Sequence, residues 1–228
     1  MRKYIILDLD DTLLDFTRGE IEGVTTLLTE QGVTDIAHGL QIYQAINTTV
    51  WQQIEQGAPR EPLLNTRFAK AFGALGIQVD GVALERRYHA MLDHNFYVLP
   101  GARDFLNTLQ NRQFTLIAGT NGTKTIQLNR LEGSGIAGYF DRFFISQDLG
   151  VDKPDPAFFA AIFATYPDMT SDNTIMIGDH LASDIQGALN SHLDSIWYNP
   201  HHDANPAGIL PTYEVASYTA AEHLLWNN

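Results

Sequence analysis

Tyr4-Ile5-Ile6-Leu7-Asp8-Leu9-Asp10-Asp11-Thr12 is an apolar run that ends in clustered carboxylates. The run has the length and composition of a strand buried on both faces, and the acids stand where such a strand turns out of its sheet. Unpaired carboxylates near low dielectric are costly or shift their pKa, so ordinary cores avoid this arrangement. Asp8 and Asp10 reach one centre if the chain curls at the strand end, and a cation would then hold them together.

Four more segments resemble this opening. Phe114-Thr115-Leu116-Ile117-Ala118 runs into Gly119-Thr120-Asn121-Gly122, and Arg142-Phe143-Phe144-Ile145-Ser146 into Gln147-Asp148. Thr174-Ile175-Met176-Ile177 runs into Gly178-Asp179, and Ser195-Ile196-Trp197-Tyr198 into Asn199-Pro200. Helix-length sequence separates them, which predicts an α/β fold with a parallel sheet covered on both faces. Ligands of such sheets bind outside the carboxyl ends of the strands, where these polar residues gather.

The stretch 15–97 reads differently. Ile21, Val24, Thr25, Leu27 and Leu28, then Ile42, Ala45, Ile46, Val50 and Ile54, recur at helical spacing. Further helices are expected over Pro62–Leu75 and Gly81–Phe96, with Gly57-Ala58-Pro59 and Gly76 as breaks. The expectation is an all-helical domain over 15–97, inserted into a sheet domain made of 1–14 and 98–228.

The 228 residues, 44% hydrophobic and 18% charged, suit a soluble globule. No apolar stretch approaches the roughly 20 residues that span a bilayer, so no membrane partner is expected. The basic Arg2-Lys3 pair meets acid too soon for a signal peptide. With no cysteines, disulfides and thiolate metal sites are excluded, which fits a cytoplasmic location. A formal charge of -13 argues against polymeric nucleic acid, whose affinity comes from Lys and Arg on phosphates. A small phosphate ester remains open as a partner, bound by a monomer or weak homodimer.

Each polar cluster has a chemical and a structural reading. Asp8 suits a carboxylate nucleophile, with Asp10 as the acid/base that protonates a leaving oxygen and then activates water. The pair equally fits an Asx turn with Thr12. Thr120 and Asn121 suit phosphoryl oxygens, or a helix cap. Lys153, in Val151-Asp152-Lys153-Pro154-Asp155-Pro156, stands before a helix start, where it neutralises phosphate or is merely solvated. Asp179, and Asp184 about a turn into the following helix, suit magnesium. Asp8, Asp10, Asp179 and Asp184 would repel one another without a cation, directly bound or one layer removed, and Mg2+ with Lys153 resolves that repulsion. His201-His202 reads as a solvated loop pair, and Trp51 and Phe143-Phe144 as core.

In this order, the residues resemble the four motifs of the haloacid dehalogenase-like superfamily: Asp8-Leu9-Asp10-Asp11-Thr12, Thr120-Asn121, Lys153-Pro154, and Gly178-Asp179 with Asp184. The resemblance implies a Rossmann-like core with a helical cap, a magnesium-dependent phosphatase and an aspartyl-phosphate on Asp8. A narrower likeness, to the pyrimidine 5′-nucleotidases of that superfamily, rests on Asn47, Trp51, Glu55, Gly57, Asn65-Thr66-Arg67-Phe68 and Ile209-Leu210-Pro211-Thr212-Tyr213. It implies nucleoside monophosphates as substrates. Alternatives are a phosphatase for a sugar phosphate or phosphoglycolate, a phosphomutase, or a phosphate sensor. Dehalogenation has no use for Asp10 and an acidic metal site.

Overall fold

The computed structural model describes residues 2–227, except the side chains of Glu55 and Asn227. It divides into two compact units, Met1–Asp15 with Phe96–Asn228, and Phe16–Asn95.

The first unit is built on a parallel sheet. Its strands are β1 (Tyr4–Leu7), β2 (Thr115–Thr120), β3 (Arg142–Ile145), β4 (Thr174–Gly178), β5 (Asp194–Tyr198) and β6 (Tyr213–Val215), in the order β3-β2-β1-β4-β5-β6. The chain builds outward from β1 through β2 to β3, then returns to β4 on the other side of β1. That reversal makes the β1/β4 boundary a topological switch point, where loops part and leave a crevice.

Side chains alternate across the sheet, which separates two apolar layers. Ile5, Leu7, Leu116, Ala118, Ile175 and Ile177 face one layer, with Phe105, Leu106 and Tyr218. Tyr4, Ile6, Ile117 and Met176 face the other, with Phe158, Phe159 and Ile162. The helices of this unit are α5 (Ala102–Asn111), α6 (Lys124–Gly133), α7 (Ser146–Leu149), α8 (Pro156–Thr165), α9 (Gln186–Asn190) and α10 (Tyr218–Asn227). The fold class read from the sequence is the one observed, with two local corrections. The short edge strand β6 was not anticipated, because three residues carry too little pattern. Phe143 is 37% exposed while Phe144 is buried, since β3 is the other edge of the sheet.

The second unit is all helical: α1 (Phe16–Glu30), α2 (Ile36–Glu55), α3 (Arg60–Ala74) and α4 (Gly81–Leu92). Asp35 and Asp80 cap α2 and α4 by accepting from His38 N and Ala83 N, 3.0 Å each. The buried face of α2 keeps the expected Val50 and Ile54, but in its first half Tyr43 and Asn47 are buried while Ile42 and Ile46 are only half-buried. Ala45 is exposed. The reason is a buried cation, Arg67 on α3, which draws polar partners inward. Trp51 packs at the rim of the Val50, Ile54 and Leu64 cluster, and Arg60 lies 5.4 Å from its ring centre. Among the described residues, no helix is long and apolar enough to cross a membrane.

Candidate active site

Leaving β1, the chain curls at once. Leu13 N and Leu14 N both donate to Leu9 O, at 2.9 and 2.8 Å, and Asp11 takes a left-handed φ of 53°. Asp tolerates that conformation better than most residues. Thr12 locks this curl to the end of β4: Asp179 N donates to its Oγ1 at 2.9 Å, and the hydroxyl donates to Asp179 Oδ1 at 3.0 Å. Two further hydrogen bonds fix the loop backbones, Tyr218 OH to Thr12 O at 2.8 Å and Trp197 Nε1 to Asp179 O at 2.7 Å.

Asp184 enters from a π-helical turn, Leu181–Ile185. Its Oδ2 accepts from His180 N at 3.0 Å, and the carboxylate is wholly buried. A Cβ on Gly178 would fall 2.2 Å from Asp184 Oδ2, so this approach requires glycine at the end of β4. Among the described residues, Asp8, Asp179 and Asp184 each offer a carboxylate oxygen, and these oxygens lie within 4.8 Å of one another.

Lys153 joins the cluster from the loop after α7. Its Nζ donates to Asp8 Oδ1 at 2.6 Å, Asp184 Oδ1 at 2.7 Å and Gly119 O at 2.6 Å. Burial works against the ammonium, but Asp184 and Asp8 outweigh it and hold the Lys153 pKa above its ordinary value. Asn121 builds this position: its Nδ2 donates to Lys153 O, and Lys153 N donates to its Oδ1, both at 2.8 Å. The Asn121 side chain, expected to meet phosphate, thus also holds the Lys153 backbone.

Three carboxylates around one ammonium leave excess negative charge in a buried place. Burial pushes Asp8 up to about 8; Lys153 opposes that, and Asp184 and Asp10 add to it. Asp179 is likewise driven well above the carboxylate range, by burial and then by Asp8 and Asp184. Hard oxygen donors that resist joint ionisation suit a divalent cation.

Asp10 departs from the four-carboxylate grouping read from the sequence. Its carboxylate accepts from two α6 side chains, Gln127 Nε2 at 2.9 Å on Oδ2 and Arg130 Nη1 on Oδ1. Gln127 Nε2 also donates to Thr120 Oγ1 at 2.9 Å, at the end of β2. Gln127 and Arg130 were not singled out in the sequence, although a signal existed. The buried face of α6 carries Ile126 and Leu131 together with these two polar residues, at i and i+3.

In the helical unit, Asn47, Arg67 and Phe68 of the narrower likeness belong to an internal network. Arg67 donates to both Glu85 oxygens, at 2.8 and 2.7 Å, and to Asn47 Oδ1 at 2.9 Å. Asn47 Nδ2 in turn donates to Glu20 at 2.9 Å. Tyr88 flanks the guanidinium, 4.8 Å from ring centre, and Phe68 stacks on Tyr43. Thr66 is exposed, and the Glu55 side chain lies outside the described residues. His201 and His202 are solvated, as expected.

Acids at the β1/β4 switch point, a buried lysine and a helical insertion after β1 define a class of hydrolase, and comparison agrees. Residues 2–192 match the profile described as haloacid dehalogenase-like hydrolase, and the chain belongs to that family. It is 42% identical over 217 residues to the pyrimidine 5′-nucleotidase PynA of Streptococcus pneumoniae, a match covering 95% of this chain and 92% of PynA. Identity to the pyrimidine 5′-nucleotidase YjjG of Escherichia coli is 34% over 224 residues, 97% of each chain. The magnesium-bound crystal structure of YfnB from Bacillus subtilis superposes with a TM-score of 0.91 at 34% identity, over 99% of both chains. An L-2-haloacid dehalogenase of Xanthobacter autotrophicus shares the fold, with a TM-score of 0.79 at 14% identity.

Proposed function

We propose that the protein is a magnesium-dependent phosphomonoesterase acting on pyrimidine nucleoside 5′-monophosphates, ribo or deoxy. The observation that carries this reading is the Lys153 ammonium bridging Asp8 and Asp184 beside Asp179, a charge cluster suited to a cation and a phosphate dianion. PynA and YjjG, both named pyrimidine 5′-nucleotidases and matched over nearly their full length, support the substrate class. Asp8, Asp179 and Asp184 would hold magnesium, which would supply the positive charge that keeps Asp8 ionised and offsets the negative charge of the phosphoryl group.

Asp8 is the nucleophile. One of its carboxylate oxygens bonds to phosphorus as the bond from phosphorus to the ester oxygen breaks, and the Asp10 carboxyl gives its proton to that departing oxygen. The product is an aspartyl-phosphate on Asp8. Asp10, now ionised, takes a proton from water, whose oxygen attacks phosphorus as the Asp8 bond breaks, and inorganic phosphate leaves. Lys153 neutralises phosphoryl charge, and Thr120, whose oxygen already accepts from Gln127, donates a hydrogen bond from its hydroxyl to a phosphoryl oxygen and keeps its proton. Fixed charge and positioning supply most of the rate, as in phosphoryl transfer generally.

The test is phosphate release from pyrimidine and purine 5′-monophosphates, sugar phosphates and phosphoglycolate, with and without chelator. Chelator-sensitive release that favours UMP, dUMP or dTMP is expected. Release from sugar phosphates alone would discard the nucleotide assignment and keep the chemistry; no release from any monoester would overturn both. Asp8→Asn, an isosteric change, is expected to keep the fold and abolish turnover.

A further inference from the structure

On the α6 side of the site, one polar device serves two reacting groups. Arg130 is 0% exposed, yet its guanidinium donates to Asp10 and, through the same Nη1, to Gln127 Oε1 at 2.9 Å. That bond decides which way the Gln127 amide faces. Its oxygen meets Arg130, so its NH2 must face Asp10 and Thr120, each 2.9 Å away. Gln127 is itself buried, so neither side chain exchanges its partner for water at low cost.

We infer that Gln127 and Arg130 are positioning residues for proton transfer: they clamp the Asp10 carboxyl, one donor on each oxygen, and tie its plane to the Thr120 hydroxyl. Each carboxyl oxygen has a second lone pair, so the clamp fixes the plane without occupying the place of the transferable proton. In the first half-reaction that proton passes from Asp10 to the ester oxygen as the bond to phosphorus breaks. Arg130 and Gln127 exchange no proton. A proton donor misplaced by about 1 Å can lose ~10²-fold, which is what a two-point clamp prevents. The inference rests on Asp10 being the general acid of the proposed phosphatase.

Leaving-group dependence tests it. A nucleoside monophosphate expels an alkoxide that needs a proton, whereas para-nitrophenyl phosphate expels a phenolate that does not. The ratio of kcat/KM for dUMP over para-nitrophenyl phosphate reports the acid, because kcat/KM ends with leaving-group departure. Arg130→Met and Gln127→Met are expected to lower that ratio about tenfold or more, part of the ~10²–10⁴-fold that general acid catalysis supplies. Arg130→Lys should restore part of it, since a lysine keeps the charge without the planar fork. If Arg130→Met fails to fold, Gln127→Met and Arg130→Lys carry the test. Asp10→Asn is the benchmark. Should it lower the ratio while the clamp variants lose both substrates equally, the clamp is only structural and the inference falls alone. Should Asp10→Asn leave the ratio unchanged, the assignment of Asp10 as general acid fails and the inference with it.

Discussion

Under the proposed mechanism Asp8 meets two opposed demands, being buried among acids yet ionised to attack phosphorus. Its folded pKa of about 8, raised by burial against the pull of Lys153, lies far above the value near 3.8 of a free aspartate. A raised carboxylate pKa means the native state holds a proton that the unfolded state has released between those two values. Without cation, stability should therefore fall as pH rises from about 4 to about 8. Magnesium bound at the cluster would displace that proton and remove the fall, because both states are then deprotonated at Asp8 over this range. Melting curves with EDTA and with Mg2+ check this: the gain in Tm on adding Mg2+ should grow from pH 6 to pH 8. Asp8→Asn should remove the Asp8 share of the slope in the chelated profile and leave the share of Asp179, which burial also raises. A Mg2+ gain independent of pH would contradict the charge balance proposed for the cluster. The acids themselves were legible in the sequence, because Asp8, Asp10 and Asp179 close apolar runs and Asp184 lies about a turn beyond one. The partners of Asp10 were not, since Gln127 and Arg130 lie 117 and 120 positions away and only the fold brings them near.

Strand ends and the turns after them carry the site. β4 ends in Gly178, and the π-helical turn behind it returns Asp184 to within reach of Lys153. Such turns widen a helix locally and are frequent at functional sites. Gly178→Ala puts a methyl where Asp184 Oδ2 lies, so the carboxylate must move. The expected cost is about 1–3 kcal/mol, typical of overpacking, read from denaturant midpoints. Loss of most of the Mg2+-dependent gain in Tm should accompany it. Tyr218→Phe tests the tether from α10 to the β1 loop, because it leaves the buried Thr12 carbonyl without its 2.8 Å donor. A loss of about 1–3 kcal/mol is expected for a buried acceptor so abandoned. Helix positions followed from periodicity, as did the burial of Val50 and Ile54 on α2, but the inward turn of Asn47 did not. Asn47 is polar and still buried, which spacing alone does not reveal until Arg67 is placed beside it.

At the scale of the whole molecule, the sheet unit has two apolar cores while the helical unit adds a polar one. Arg67 and Glu85 are both almost fully buried, and His89 Nε2 lies 2.8 Å from Glu85. Burial alone would raise the Glu85 pKa; hydrogen bonds from His89 and Arg67, with the Arg67 charge, overcome that and lower it. A lowered carboxylate contributes stability above its unfolded pKa and loses it as pH falls through the folded value. Arg67→Met strands the Glu85 charge, and removing one partner of a buried pair costs about 3–5 kcal/mol. Acid melting of that variant should move toward the ordinary carboxylate range. An unchanged Tm at neutral pH would show that the pair adds nothing beyond what packing supplies.

Apolar runs ending in acid, repeated at helix-length intervals, determined the parallel sheet and the carboxylates at its carboxyl edge, because strand burial and ligand chemistry both leave local patterns. Helical spacing determined the insertion for the same reason. Tertiary structure alone decided that Asp10 turns to α6 rather than to the Asp8, Asp179 and Asp184 cluster, that Asn121 holds the Lys153 backbone, and that Asn47 faces inward. Those outcomes depend on which donors and acceptors are buried together, and burial partners distant along the chain are set by packing, not by spacing.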